Sequence, residues 1–267
     1  MKIKFNLFSK SFLLSFITFG LIAAIIIANL YLDANAVNPK VEESNVLIGV
    51  TDNNKLLSMT IINFVPETNL ISFLPIPDNV WIKNGIILQD LYDKHNISPL
   101  KSSLEDIIGV KINRYILFSL ESLAELNNEM GTFTLNAQYP FEHKGSIKAG
   151  SLQLDGELTK AMFLYDGYDM TNVSFSNIGF SYLNTFLATF AKPTHIQALS
   201  NILTSKSFLR KTDTNINKNE IKDYCELVSL YSSFSHRTIE INGTYNRTSS
   251  STYFIPHNQQ TDKNIFK

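Results

Sequence analysis

The chain is 267 residues long, 44% hydrophobic and 18% charged, with a formal net charge of −1. That balance excludes a nucleic-acid surface, which draws on clustered Lys and Arg to neutralise phosphates. A single cysteine, Cys225, excludes an internal disulfide, and His95, His143, His195, His236 and His257 are scattered without a metal-ligand spacing.

Phe12 to Leu32 carries no charged residue and consists largely of Phe, Leu, Ile and Ala. At about 1.5 Å per residue, roughly 20 apolar residues cross a hydrocarbon core about 30 Å thick. Lys2, Lys4 and Lys10 precede the stretch and no acidic residue appears before Asp33. The rule that positive charge stays inside puts residues 1–11 in the cytoplasm, a transmembrane anchor over 12–32 and the rest outside. Ala34-Asn35-Ala36 has the small-residue spacing of a signal-peptidase site, so a cleaved leader is the competing reading. The apolar run exceeds the roughly 7–15 residues of a leader, which favours the anchor. Without Lys2, Lys4 and Lys10 the chain has 20 basic and 24 acidic residues, a net of −4.

Residues 33–44 read as a linker, and 45–256 suit one large domain. Asn45–Val50, Met59–Val65 and Leu70–Leu74 are apolar runs of strand length, the last two joined by the turn Pro66-Glu-Thr-Asn69. Helical patterning follows over Ile86–His95, and over Leu100–Ile108 with Ser98 as cap and Pro99 at the first helical position. Ile112–Phe118 reads as a strand, Leu120–Glu129 as a helix capped by Ser119 and closed by Gly131, and Thr132–Leu135 as a strand. Asp155 caps a helix to about Tyr165, and Phe175–Phe190 is long and aromatic-rich. Thr194 caps His195–Leu203, and Asn217 with Glu220 forms a capping box for Ile221–Tyr231. Arg237–Ile241 and Ser251–Ile255 are strands around a Gly243 turn, and 257–267 is a polar tail with little to anchor it. Alternating strands and helices predict an α/β fold, a three-layer α/β/α sandwich with a mixed central sheet.

The order of short motifs resembles the LytR-CpsA-Psr (LCP) family of bacterial cell-envelope proteins over roughly residues 45–256. Val50-Thr51-Asp52 stands where the family has Gly-Ser-Asp, and Ile76-Pro77 where it has Ile-Pro. Leu104-Glu-Asp-Ile-Ile-Gly109 and Leu126-Asn-Asn-Glu-Met-Gly131 match its helix ends, and Leu154-Asp155-Gly156-Glu157 with Ala161 matches its Leu-Asp-Gly-Glu-x-Ala motif. The resemblance implies an extracellular domain on an N-terminal anchor in the bacterial cytoplasmic membrane. It also implies transfer of polyprenyl-pyrophosphate-linked glycopolymer to peptidoglycan, with Mg²⁺ as the expected ion wherever that activity persists.

The family's arginines are missing. Its Arg-x-Asp is replaced by Lys55 and Leu57, its Pro-Arg-Asp by Pro77-Asp78-Asn79, and its Arg-x-Arg by Leu164-Tyr165-Asp166; nothing in Asn172–Phe180 replaces its Arg-x-x-Arg-Gln-Gln. The chain's arginines are Arg114, Arg210, Arg237 and Arg247. A guanidinium grips phosphate oxygens bidentately and keeps its proton, whereas Asp78 and Asp166 reverse the sign. Asp52 remains as a lone candidate metal ligand, since Leu57 stands in place of its partner carboxylate.

The expectation is therefore a non-catalytic, membrane-anchored envelope protein that binds a polyprenyl lipid, a glycan such as peptidoglycan, or an active paralogue, and no nucleic acid. Lys55, Asp78 and Asp166 mark the remnant catalytic positions. Phe175, Phe180, Phe186 and Phe190, with Tyr182, are the lipid-site candidates if the family's apolar tunnel persists; at helical spacing they also serve as plain core. The alternative is a diverged phosphotransferase using Asp52 and Lys55. Trp81 either stacks on a sugar or packs inside, and packing is the expected role. Cys225 reads as a small buried hydrophobe on a helix.

Overall fold

Along the first strand, Val46, Ile48 and Val50 alternate with Leu47, so both faces of that strand carry apolar side chains. A strand of that kind is stable only with cover on both sides. The computed structural model describes residues 43–77, 79–82, 85–93, 96–168, 175–247, 252–257 and 265–266. Its central sheet is built from β1 (Ser44–Asp52), β2 (Lys55–Val65), β3 (Leu70–Pro75), β4 (Arg114–Ser119), β7 (Thr212–Thr214) and β8 (Ser235–Thr238). The order is β7-β4-β1-β2-β3-β8. β1 and β4 are parallel, as are β3 and β8, and the other neighbours are antiparallel, so the sheet is mixed as expected.

Among the described residues there are seven α-helices: α1 (Ser98–Ile108), α2 (Leu120–Met130), α3 (Gly156–Leu164), α4 (Phe175–Phe190), α5 (Pro193–Leu203), α6 (Lys206–Arg210) and α7 (Lys218–Val228). Val46, Val50, Ile62, Phe73 and Phe118 pack in one core with side chains of α2, α3, α4, α5 and α7. Leu47, Ile61, Leu74 and Leu117 pack in a second core with Leu100, Leu104 and Ile108 of α1. Phe254 joins that second core from the hairpin β9 (Gly243–Arg247)/β10 (Thr252–Pro256).

Local chemistry sets several boundaries. Asn53 and Asn54 both have positive φ (46° and 64°), which closes the two-residue turn between β1 and β2. Ser119 Oγ accepts from Ser122 N at 3.1 Å and Asp155 Oδ1 from Leu158 N at 2.8 Å, so α2 and α3 start at the predicted caps. Asn217 accepts from the amides of Asn219 and Glu220 while Glu220 accepts from Asn217 N, which completes the capping box of α7.

Other expectations are corrected. Ile86–His95 is not a helix in its described part: only Leu88–Leu91 makes a 3₁₀ turn. Leu88 N donates to Val80 O, and the Gln89 amide spans Pro77 O and Val80 N, so the preceding loop takes the bonds a helix would have used. α1 begins at Ser98 itself, whose amide is held by Asn96 Oδ1. α5 begins with Pro193 after Lys192, without a side-chain cap from Thr194. α7 stops at Val228, three residues before the predicted end. The predicted strand over Thr132–Leu135 is the start of a long hairpin, β5 (Phe133–His143) with β6 (Ser146–Leu154), turned by Lys144 and Gly145 at positive φ. Near the C-terminus, Phe266 is buried in the second core and Arg237 donates to its carbonyl. No helix among the described residues is long and apolar enough to cross a membrane; the predicted span 12–32 lies outside them.

Candidate functional site

Two places answer to the expected chemistry, one polar and one apolar. The polar one is the tip of the β1–β2 hairpin. Asp52 and Lys55 face each other across the turn, Asp52 half-buried and Lys55 exposed. Asp52 Oδ2 accepts from Asn53 Nδ2 at 2.9 Å. Leu57 is turned into the first core. Asp166 is exposed just after α3, behind Leu164, whose side chain is also exposed. Asp78 lies outside the described residues.

The arginines are engaged elsewhere or stand on other elements. Arg114 Nη2 donates to Glu220 Oε1 at 2.5 Å, at the start of β4. In the parallel register Arg114 lies opposite Val46, six residues along β1 from Asp52, or roughly 20 Å at the rise of a strand. Arg237 Nε donates to Ser72 Oγ at 2.8 Å. Arg210 ends α6 and Arg247 ends β9, both exposed. Among the described residues no three His, Cys, Asp or Glu side chains gather as a metal group. A hard cation seeks several oxygen ligands, and this turn offers a single carboxylate, so its residues do not fit Mg²⁺.

The apolar place is a cavity of about 130 Å³ between the sheet and the helices. Its floor is the first face of the sheet, with Ile48, Ile62 and Phe118; its roof comes from α2, α4, α5 and α7, with Leu126, Phe186, Leu199 and Cys225. Every lining side chain is apolar except the phenols of Tyr182 and Tyr224 and the thiol of Cys225. The Tyr224 hydroxyl is drawn off to Ser44 Oγ at 3.2 Å. The Tyr182 hydroxyl is buried toward Thr159 without a hydrogen bond of ordinary geometry, and burial pushes its pKa far up. Burial likewise raises the Cys225 thiol to about 12, so it is a wall residue rather than a nucleophile, as its sequence context predicts.

Of the aromatic candidates on α4, Tyr182 and Phe186 line the cavity. Phe190 packs beside it against Phe133, with ring centroids 5.9 Å apart, and Phe180 lies on Phe73 at 5.5 Å. The side chain of Phe175 lies outside the described residues. Sequence reasoning looked only at the aromatic helix. It missed the strand residues Val46, Ile62, Phe64 and Ile116 and the α7 residues Ile221 and Val228 that complete the walls. Strands apolar on both phases were the available signal, because they must be covered twice.

A cavity of this size is expensive. At about 24 cal/mol per Å³, leaving 130 Å³ unfilled costs on the order of 3 kcal/mol. That is a large fraction of the roughly 5–15 kcal/mol by which domains are stable. Apolar walls also leave water without partners, so the space suits a hydrocarbon guest.

No protein-family model and no curated protein matches this sequence. Solved structures match its fold. Bacillus subtilis TagV is 16% identical with a TM-score of 0.69, over 84% of this chain and 94% of that one. An Enterococcus faecalis protein described as a transcriptional regulator is 12% identical with a TM-score of 0.66, over 82% and 84%. B. subtilis TagT, solved bound to LI-WTA, is 13% identical with a TM-score of 0.60, over 84% and 88%. TagV and TagT are LCP proteins, so the fold is that of the family the motifs resemble. At these identities the likeness concerns the fold.

Proposed function

We propose that this chain is a single-pass protein of the bacterial cytoplasmic membrane, its folded domain outside, that holds a segment of a polyprenyl chain in the cavity and acts in cell-wall glycopolymer assembly without transferring the polymer. The apolar cavity carries this reading: its hydrocarbon walls suit an apolar guest, and its volume of about 130 Å³ takes a short segment of such a chain, on the order of one isoprene unit. A complex of LI-WTA with TagT, a protein of the same fold, adds support. The lost arginines argue for binding without chemistry. Phosphoryl transfer depends on positioning and on cations aimed at developing charge, and the hairpin tip offers Lys55 as a point charge beside Asp52. Partners in this role are the membrane, the lipid, and peptidoglycan or an active paralogue. The second reading, a diverged phosphotransferase, draws on the same facing pair, Asp52 and Lys55.

The test is binding of a polyprenyl monophosphate to the full-length protein in detergent micelles, followed by native mass spectrometry and by melting temperature. Saturable one-to-one binding that raises the melting temperature is expected. Cys225→Phe and Leu199→Phe, which fill the cavity from two neighbouring helices of its roof, should each weaken it about tenfold or more. Absence of binding, or binding indifferent to both substitutions, contradicts the proposal.

A further inference from the structure

Trp81 is the chain's one tryptophan, and the expectation that it packs inside is corrected: it is 36% exposed. Its indole lies against Tyr253 of β10, ring centroids 6.3 Å apart and tilted by 46°. Alternation along β10 buries Phe254 in the second core, which turns Tyr253 and Ile255 to the outer face of the β9–β10 hairpin. Asn246 pairs with Tyr253 across that face and Thr244 with Ile255, and both are exposed. None of these four hairpin side chains is charged.

The backbone under the two rings is fixed. Trp81 N donates to Phe254 O at 2.8 Å, Phe254 N to Asn79 O at 3.1 Å, and Ile82 N to Ile86 O at 3.0 Å. Asn79 Nδ2 donates to Thr252 O at 3.1 Å, and Gln89 Oε1 accepts from Val80 N at 3.2 Å. A large aromatic side chain held half in water on so firmly tied a loop is not explained by core packing.

We propose that Trp81, Tyr253, Asn246 and Thr244 form a binding platform for an uncharged hexopyranose chain of an envelope glycan. The apolar C–H face of a pyranose ring lies on an aromatic face, and amide and hydroxyl groups beside it meet the sugar's hydroxyl and acetamido groups. Glycan contacts are individually weak, so a surface that needs no ordering on binding retains more of the interaction. The chemistry favours a neutral glycan over the other occupants of an exposed Trp–Tyr surface. An anionic membrane surface draws Lys and Arg to its binding face, and among the described residues the outer face of the hairpin shows none. A protein partner is met by a contiguous apolar centre, whereas amide and hydroxyl groups interrupt this one. The platform stands apart from the cavity, and its test does not depend on lipid binding.

The lone indole is its own reporter. Full-length protein, in a detergent without a sugar head group, is titrated with chito-oligosaccharide and cello-oligosaccharide while tryptophan emission and acrylamide quenching are followed. A saturable blue shift with reduced quenching is expected for at least one of the two, with an affinity of roughly millimolar. Tyr253→Ala and Asn246→Ala should each weaken it about tenfold while leaving the melting temperature unchanged. If Tyr253→Ala does not fold, Asn246→Ala alone decides. The proposal is overturned by an emission spectrum that neither sugar moves, by a shift that survives the substitutions, or by an equal shift with anionic phospholipid vesicles free of glycan.

Discussion

Cys225 shows how much a single residue reports about the site. Its thiol lines the cavity and is raised to about 12 by burial. At pH 8 only about one molecule in ten thousand carries the reactive thiolate. A water-soluble disulfide reagent should therefore leave the native protein unlabelled over hours and label one thiol at once in denaturant; native labelling at the rate of a free cysteine would contradict the buried cavity wall. Asp52 makes the complementary prediction. It bonds to Asn53 at the hairpin tip and contributes no side chain to the cavity, so Asp52→Ala should leave polyprenyl monophosphate affinity within about twofold. A tenfold loss in a lipid titration would make the hairpin tip part of the binding site. The sequence exposed the missing arginines plainly because charge is written in residue type. It did not expose the cavity, because a void belongs to no residue: Val46 and Cys225 meet only after chain positions 179 apart are brought together.

At the scale of elements, α4 lies so close to β2 that a Cβ on Gly179 would sit 1.9 Å from Ser58 Oγ. Gly179→Ala forces the helix off the sheet or Ser58 into another rotamer, and should destabilise the fold by about 1–3 kcal/mol. For a domain of this size that is a melting temperature lower by roughly 2–10 °C; an unchanged melt would mean the close approach is not there. α7 carries a pH dependence. The Asn217 amide donates to Glu220, and Arg114 also bonds it, so the Glu220 carboxyl is held below its ordinary value. A depressed folded-state pKa means stability fully present above the unfolded value near 4.5 and lost as pH falls through the folded value. Glu220→Gln should cost about 1 kcal/mol at pH 7. Melting curves of the two proteins should draw together as the pH falls below the ordinary carboxylate value, and a constant gap would contradict the linkage. The capping box of α7 and the caps of α2 and α3 were readable in sequence because they are local. The β5–β6 hairpin was readable only at its start: Phe133, Leu135, Ala137 and Phe141 keep one face, but the register shifts between Ala137 and Phe141, where four residues of β5 run against two of β6 with Pro140 inside the run. Ile86–Leu91 misled because its periodicity was helical while its hydrogen bonds went to Val80 and Pro77.

The whole molecule combines an apolar cavity with a hairpin tip that carries no guanidinium group. The sheet, the two cores and the helices over the cavity give the fold shared with TagV and TagT. A diphosphate brings several negative charges, and in a partly dry pocket each unpaired one is costly. The prenyl chain should supply the affinity and the head group should add nothing. The most direct measurement compares the full-length protein's affinity for a polyprenyl alcohol, its monophosphate and its diphosphate at fixed ionic strength, alongside a transfer assay from labelled lipid-linked glycan to peptidoglycan. The account predicts that the diphosphate binds no more tightly than the alcohol and that no label is transferred. A diphosphate bound tenfold or more tightly, with transfer abolished by Asp52→Ala, would contradict it and establish the diverged phosphotransferase instead.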